Sequence, residues 1–67
     1  MLGFETKDGS KYIFVGKNQI KGGVFKDTPV EYTGLWCLID AIGQIRLADG
    51  QIVRTSEIKR YLYPGDV

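Results

Sequence analysis

Acid–base chemistry in this chain would have to be drawn from carboxylates such as Glu5, Glu31, Asp40 and Glu57, because the sequence holds no histidine. Without histidine, neither a Ser-His-Asp nor a Cys-His arrangement can be built. Hydrolysis by paired acids needs two carboxylates at a fixed separation, and no spacing here puts two of the four together. They read as separate solvated side chains. Cys37 is the only cysteine, so there is no intrachain disulfide, and too few soft ligands remain for zinc. The chain is expected to be no enzyme and to need neither metal nor cofactor.

Binding is the chemistry left. Trp36 is the natural anchor for a partner, since an exposed indole offers a large apolar area with a polar handle. Its competing role is plain core packing. Cys37, beside it, reads as a small buried hydrophobe. Asp40 interrupts the apolar run Leu35–Ile42 (LWCLIDAI) and is a ligand-orienting group, a carboxylate facing solvent at the strand's end, or a partner of Arg46 or Arg54. Tyr12, Phe14, Tyr32, Tyr61 and Tyr63 are too many aromatics for the interior of so small a domain, so some are expected to line a surface. With Trp36 and Arg60 they form the candidate protein-binding set. Lys11, Lys17, Lys21, Lys26 and Lys59 form an alternative set, in which cations meet phosphates while aromatic rings stack bases. Gly16-Lys17 is no phosphate loop: Asn18 follows, and the upstream glycine is missing.

The elements that must position these groups are strands. Asp8-Gly9 and Asp49-Gly50 each lie between runs rich in β-branched and apolar residues, and Asp-Gly supplies the positive φ of a tight hairpin. The first turn joins Leu2–Lys7 to Ser10–Val15, and the second joins Gln44–Ala48 to Gln51–Arg54. With two-residue turns, Phe4 faces Ile13 and Leu2 faces Val15, which makes those four the core side. Glu5, Tyr12 and Phe14 then take a face that is either covered or a contact surface. In the second hairpin Leu47 faces Ile52 and Arg46 faces Val53. Gly16–Gly23 (GKNQIKGG) reads as a polar loop, Val24–Lys26 as strand, and Pro29 as a turn, bulge or edge. Val30–Thr33 is a further short extended piece. Leu35–Ile42, apolar on both faces, reads as the most buried strand or as a strand half covered by a partner, with a short helix as the competing reading. Thr55–Ile58 reads as one 3₁₀ turn before a last strand, Lys59–Tyr63, and Pro64-Gly65 as the end of the ordered chain.

A chain of 67 residues makes a single domain, residues 1–67, with a small core. Its hydrophobic fraction of 43% argues against disorder. The net charge of +1 gives no global pull toward nucleic acid, although residues 1–26 carry five lysines against Glu5 and Asp8. Residues 27–49 reverse the sign, with Asp27, Glu31, Asp40 and Asp49 against Arg46. The N-terminal residues lack a signal-peptide pattern, and no apolar run spans a bilayer. A cytoplasmic, non-membrane setting is the expectation.

The order of hairpin, polar loop, strands, hairpin, one-turn 3₁₀ helix and short last strand resembles the SH3-like barrel family. The resemblance implies an all-β, five-stranded barrel in which Thr55–Ile58 is the turn before the fifth strand. Peptide-binding members carry a paired tryptophan and a proline-containing turn, both missing here, so proline-peptide binding is not implied. Gly9-Ser10-Lys11-Tyr12 and Arg54-Thr55-Ser56-Glu57-Ile58 also look similar to short uncharacterised proteins of bacteriophages and prophages. Together these features predict a small module for protein–protein interaction or self-association, with nucleic-acid binding as the alternative.

Overall fold

A computed structural model describes residues 1–66. It is all-β apart from one 3₁₀ turn at Gly23–Phe25. Six antiparallel strands follow in chain order: β1 Gly3–Thr6, β2 Lys11–Val15, β3 Gln19–Gly22, β4 Val30–Trp36, β5 Ile42–Leu47 and β6 Ile52–Leu62. Each pairs with the next, and β6 pairs back onto β1, so the sheet closes on itself. The strand β6 makes that closure possible. Its first half pairs with β5, its second half with β1, and register shifts between Glu5 and Thr6 and between Ile42 and Gln44 bend it from one partner to the other.

Both Asp-Gly hairpins are present, each with a three-residue turn rather than a two-residue one. In the first, the Thr6 amide donates to the Ser10 carbonyl (2.9 Å) and the Gly9 amide to the Thr6 carbonyl (3.0 Å). In the second, the Leu47 amide donates to the Gln51 carbonyl (2.8 Å) and the Gly50 amide to the Leu47 carbonyl (2.9 Å). Gly9 and Gly50 both sit at φ 91°, the left-handed region that closes such a turn. The extra residue shifts each predicted register by one. Phe4 pairs with Tyr12 instead of Ile13, and Arg46 with Ile52 instead of Val53. A one-residue shift turns the partner strand over, so the expected core side of Leu2, Phe4, Ile13 and Val15 is replaced by one built on Phe4 and Tyr12.

The core is therefore Phe4, Tyr12, Ile20, Ile45 and Ile58. The Phe4 and Tyr12 rings stack with centroids 5.0 Å apart, Phe25 meets Tyr12 edge-on at 6.2 Å, and Phe14 bridges Phe4 (6.3 Å) to Tyr32 (6.0 Å). This aromatic chain corrects the expectation that Tyr12 belongs to a binding surface. Thr55 is buried with its hydroxyl satisfied: Oγ1 accepts from the Gly43 amide (3.0 Å) and donates to the Ser56 carbonyl (2.8 Å).

Four further expectations need correction. The fold has six strands, not five, because part of the glycine-rich loop forms β3 against β2. Val24–Lys26 holds most of the 3₁₀ turn instead of a strand. No 3₁₀ turn interrupts Thr55–Ile58, because β6 runs through it. Leu35–Ile42 is not one buried strand: β4 stops at Trp36, the chain turns, and β5 begins at Ile42. The Ala41 amide donates to the Leu38 carbonyl (3.1 Å) and Asp40 adopts φ 67°, a conformation that aspartate tolerates better than β-branched neighbours. The antiparallel pairing of β4 with β5 requires a reversal somewhere in this run, and Asp40 lies in it.

Candidate functional site

The alternation of β4, β5 and β6 sends Leu35, Ile45 and Val53 inward as one cross-strand row. The residues between them therefore point outward. One outer row is Trp36–Gln44–Arg54 and the next is Gly34–Arg46–Ile52. Trp36 is 62% exposed and Ile52 44%, at opposite corners of this patch. Between them lies a shallow depression of about 180 Å³ lined by Gly34, Leu35, Trp36, Gln44, Arg46 and Ile52. Gly34 contributes no side chain, so the floor beside the indole is backbone. Ile42 extends the outer face along β5, and the exposed Leu38 and Ile39 lie in the reversal that follows Trp36.

Toward Arg46 and Arg54 this face is basic, while Glu57, paired across from Ile42 at its other end, is acidic. Among the described residues, no carboxylate lies within ion-pair distance of Arg46 or Arg54. The cations with partners among the described residues are Lys7 and Arg60. Lys7 Nζ pairs with Asp40 (3.0 Å) and Glu57 (3.6 Å), which raises the lysine above its ordinary pKa chiefly through the Asp40 hydrogen bond. Arg60 Nε donates to Glu5 (2.7 Å) and lowers that carboxyl. Asp40 is exposed, as one of its expected readings had it, and its partner is Lys7 rather than Arg46 or Arg54.

The remaining predicted residues divide cleanly. Tyr12 is buried at 2% exposure, with its hydroxyl accepting from the Val24 amide (3.3 Å). Phe14, Tyr32 and Tyr61 are half-buried against the core, and the Tyr61 hydroxyl donates to the Cys37 carbonyl (2.7 Å). Tyr63 is exposed beyond the end of β6, and Arg60 is exposed but held by Glu5. Lys11, Lys17, Lys26 and Lys59 are exposed and Lys21 is half-buried. Trp36 is the one member of the predicted aromatic set on the β4–β5–β6 face. Sequence reasoning missed its companions Gly34, Gln44, Arg46, Ile52 and Arg54 as a site. Their signal was present in the period-two spacing of Gln44 with Arg46 and of Ile52 with Arg54, which puts each pair on one side of its strand.

The arrangement can hold a ligand by an indole, an aliphatic corner, two guanidinium groups and one amide. Burial pushes the Cys37 thiol up, which keeps it protonated near neutral pH. Among the described residues, no three His, Cys, Asp or Glu side chains gather as metal ligands, and no helix is long and apolar enough to cross a membrane. Comparison with protein-family models, curated proteins and solved structures returned no match.

Proposed function

We propose that this chain is a small non-catalytic module for protein–protein interaction, and that its partner docks on the outer face of β4, β5 and β6. The observation that carries the reading is Trp36. It is the only tryptophan, yet it stands 62% exposed beside a depression and opposite Ile52, while every smaller aromatic but Tyr63 packs inward. Tryptophan held open to water is a large apolar area that a partner can cover, and such residues dominate binding energies. Leu38, Ile39 and Ile42 widen the apolar area at its edge. The setting belongs to the same reading: an SH3-like barrel of phage or prophage type, working in the cytoplasm. The closed antiparallel pairing supports the SH3-like part, and the unbroken β6 departs from it.

Nucleic-acid binding through Lys11, Lys17, Lys21, Lys26 and Lys59 has less support. Tyr12, the aromatic nearest Lys11 in sequence, is in the interior, and Phe14 is half-buried. Lys11 therefore lacks a free stacking partner on its own strand.

Immobilised protein and a Trp36→Ala/Ile52→Ala variant, exposed in parallel to a nuclease-treated bacterial lysate, test the proposal. The expected result is a protein retained by the parent chain and lost from the variant, with equal thermal unfolding of the two baits. Identical retained sets would remove the β4–β5–β6 face as the binding surface.

A further inference from the structure

We infer that the occupant of this face is a short acidic segment of a partner protein, carrying at least one large apolar side chain. The inference rests on the preceding reading of the face as the docking surface and adds the chemistry of what docks.

Two features specify it. The first is charge. Arg46 and Arg54 project from the same side of neighbouring strands, and the described residues supply neither with a carboxylate. Glu57, on β6 with Arg54, and Asp40 are shared with Lys7. Like charges left together on one face repel, and an incoming carboxylate relieves that repulsion while gaining the planar fork of a guanidinium. The second is shape. The depression of about 180 Å³ has apolar walls in Trp36 and Ile52. An apolar cavity of roughly 150 Å³ accepts a ring the size of benzene, so the site matches one phenylalanine or leucine side chain. Trp36 and Ile52 stand two strands apart, a span of roughly 10 Å at normal strand spacing. A few residues of extended chain cross it and bring flanking acids over the arginines.

The other occupants fit less well. A second copy in a two-fold contact would press this patch against itself, setting Arg46 and Arg54 against their own equivalents. A single strand of nucleic acid binds best to several aromatic rings in succession, and Trp36 is the only ring on the face. Ile52 and Ile42 present aliphatic surface, which suits an apolar side chain better than a base.

The test uses the intact chain and a short fluorescein-labelled peptide of aspartates and glutamates bearing one phenylalanine and one leucine. Fluorescence anisotropy follows the peptide, and the emission of Trp36, the sole tryptophan, reports its burial directly. The acidic peptide should bind saturably, shift the indole emission to shorter wavelength and weaken as salt rises. Arg46→Glu/Arg54→Glu should weaken it at least about tenfold, and the milder Arg46→Gln/Arg54→Gln serves if the reversal disturbs folding. The same peptide with lysines in place of its acids should not bind. The inference falls if the acidic peptide fails at millimolar concentration, if the arginine variants bind equally, or if the lysine peptide competes. It also falls if oligo-dT binds more tightly than the peptide, or if the free chain dimerises through Trp36. Should the peptide fail while the parent bait still retains a protein in a Trp36-dependent way, the docking face stands and only the acidic partner is lost.

Discussion

The β1–β2 and β5–β6 hairpins are built on the same turn and serve opposite ends. Each closes through the same pair of backbone hydrogen bonds, a glycine at φ 91° and an aspartate whose Oδ1 accepts the amide two residues on. Beyond the turn they diverge. Asp8 also accepts the Thr6 hydroxyl and, through Oδ2, the hydroxyl of Ser56 on β6 (3.0 Å), tying the first hairpin to the far end of the chain. Asp49 has only its local partner among the described hydrogen bonds. The first hairpin turns its aromatics, Phe4 and Tyr12, into the core, whereas the second buries Ile45 and leaves Ile52, Arg46 and Arg54 outside. Local chemistry makes a hairpin, and its neighbours decide whether it becomes core or surface.

That contrast is easiest to break by truncation. Tyr12→Ala should cost about 3–5 kcal/mol, as for other buried large aromatics, because it empties the centre of the ring stack. Ile52→Ala should change stability by no more than about 0.5 kcal/mol, as expected of an exposed side chain. Urea unfolding of both variants checks the pair, and equal losses would mean the second hairpin is as embedded as the first.

A smaller effect tests where the second hairpin does touch the core. A Cβ at Gly43 would meet Thr55 Oγ1 at 2.6 Å and Ile58 Cδ1 at 3.3 Å. Gly43→Ala should therefore cost about 1–3 kcal/mol by overpacking, read from the same urea titration. The turns themselves should behave alike. Gly9→Ala and Gly50→Ala each place a side chain at positive φ in open space, so each should lose about 1–2 kcal/mol. Thermal unfolding that separates the two widely would show that the turns differ in more than their surroundings.

The finest distinction is in acid. Hydrogen bonds from the Thr6 hydroxyl first, then the Ser10 amide and the Ser56 hydroxyl, hold the Asp8 carboxyl at about 2, against an ordinary value of 3.8. A carboxyl depressed in the folded state stabilises the fold fully above its unfolded value, and that contribution fades as pH falls from about 4 through about 2. Asp8→Asn should flatten the loss of stability over this window. Asp49→Asn, which leaves the Asp8 contacts intact, should keep it. Carboxyl carbon chemical shifts followed by NMR would give the Asp8 titration directly.

The sequence alone determined the class of structure and its two turns. Asp-Gly between β-branched runs can be satisfied locally, so both hairpins and an all-β chain were legible before any long-range contact was known. Trp36 and the period-two pairs Gln44 with Arg46 and Ile52 with Arg54 were equally present in the primary structure. Tertiary structure decided the rest. Two-residue and three-residue turns both suit Asp-Gly, and the choice between them sets which side of β2 is buried. Stacking Tyr12 on Phe4 settles it in favour of the longer turn, and the strand turns over by one residue. The run Leu35–Ile42 carries apolar residues on every side, so its local pattern could not mark where β4 must end. That point follows from pairing β4 with β5 and from Asp40 reaching Lys7 across the fold. Thr55–Ile58 is a helix-start pattern in isolation, yet it extends as strand because β5 and β1 offer it partners that a lone turn lacks.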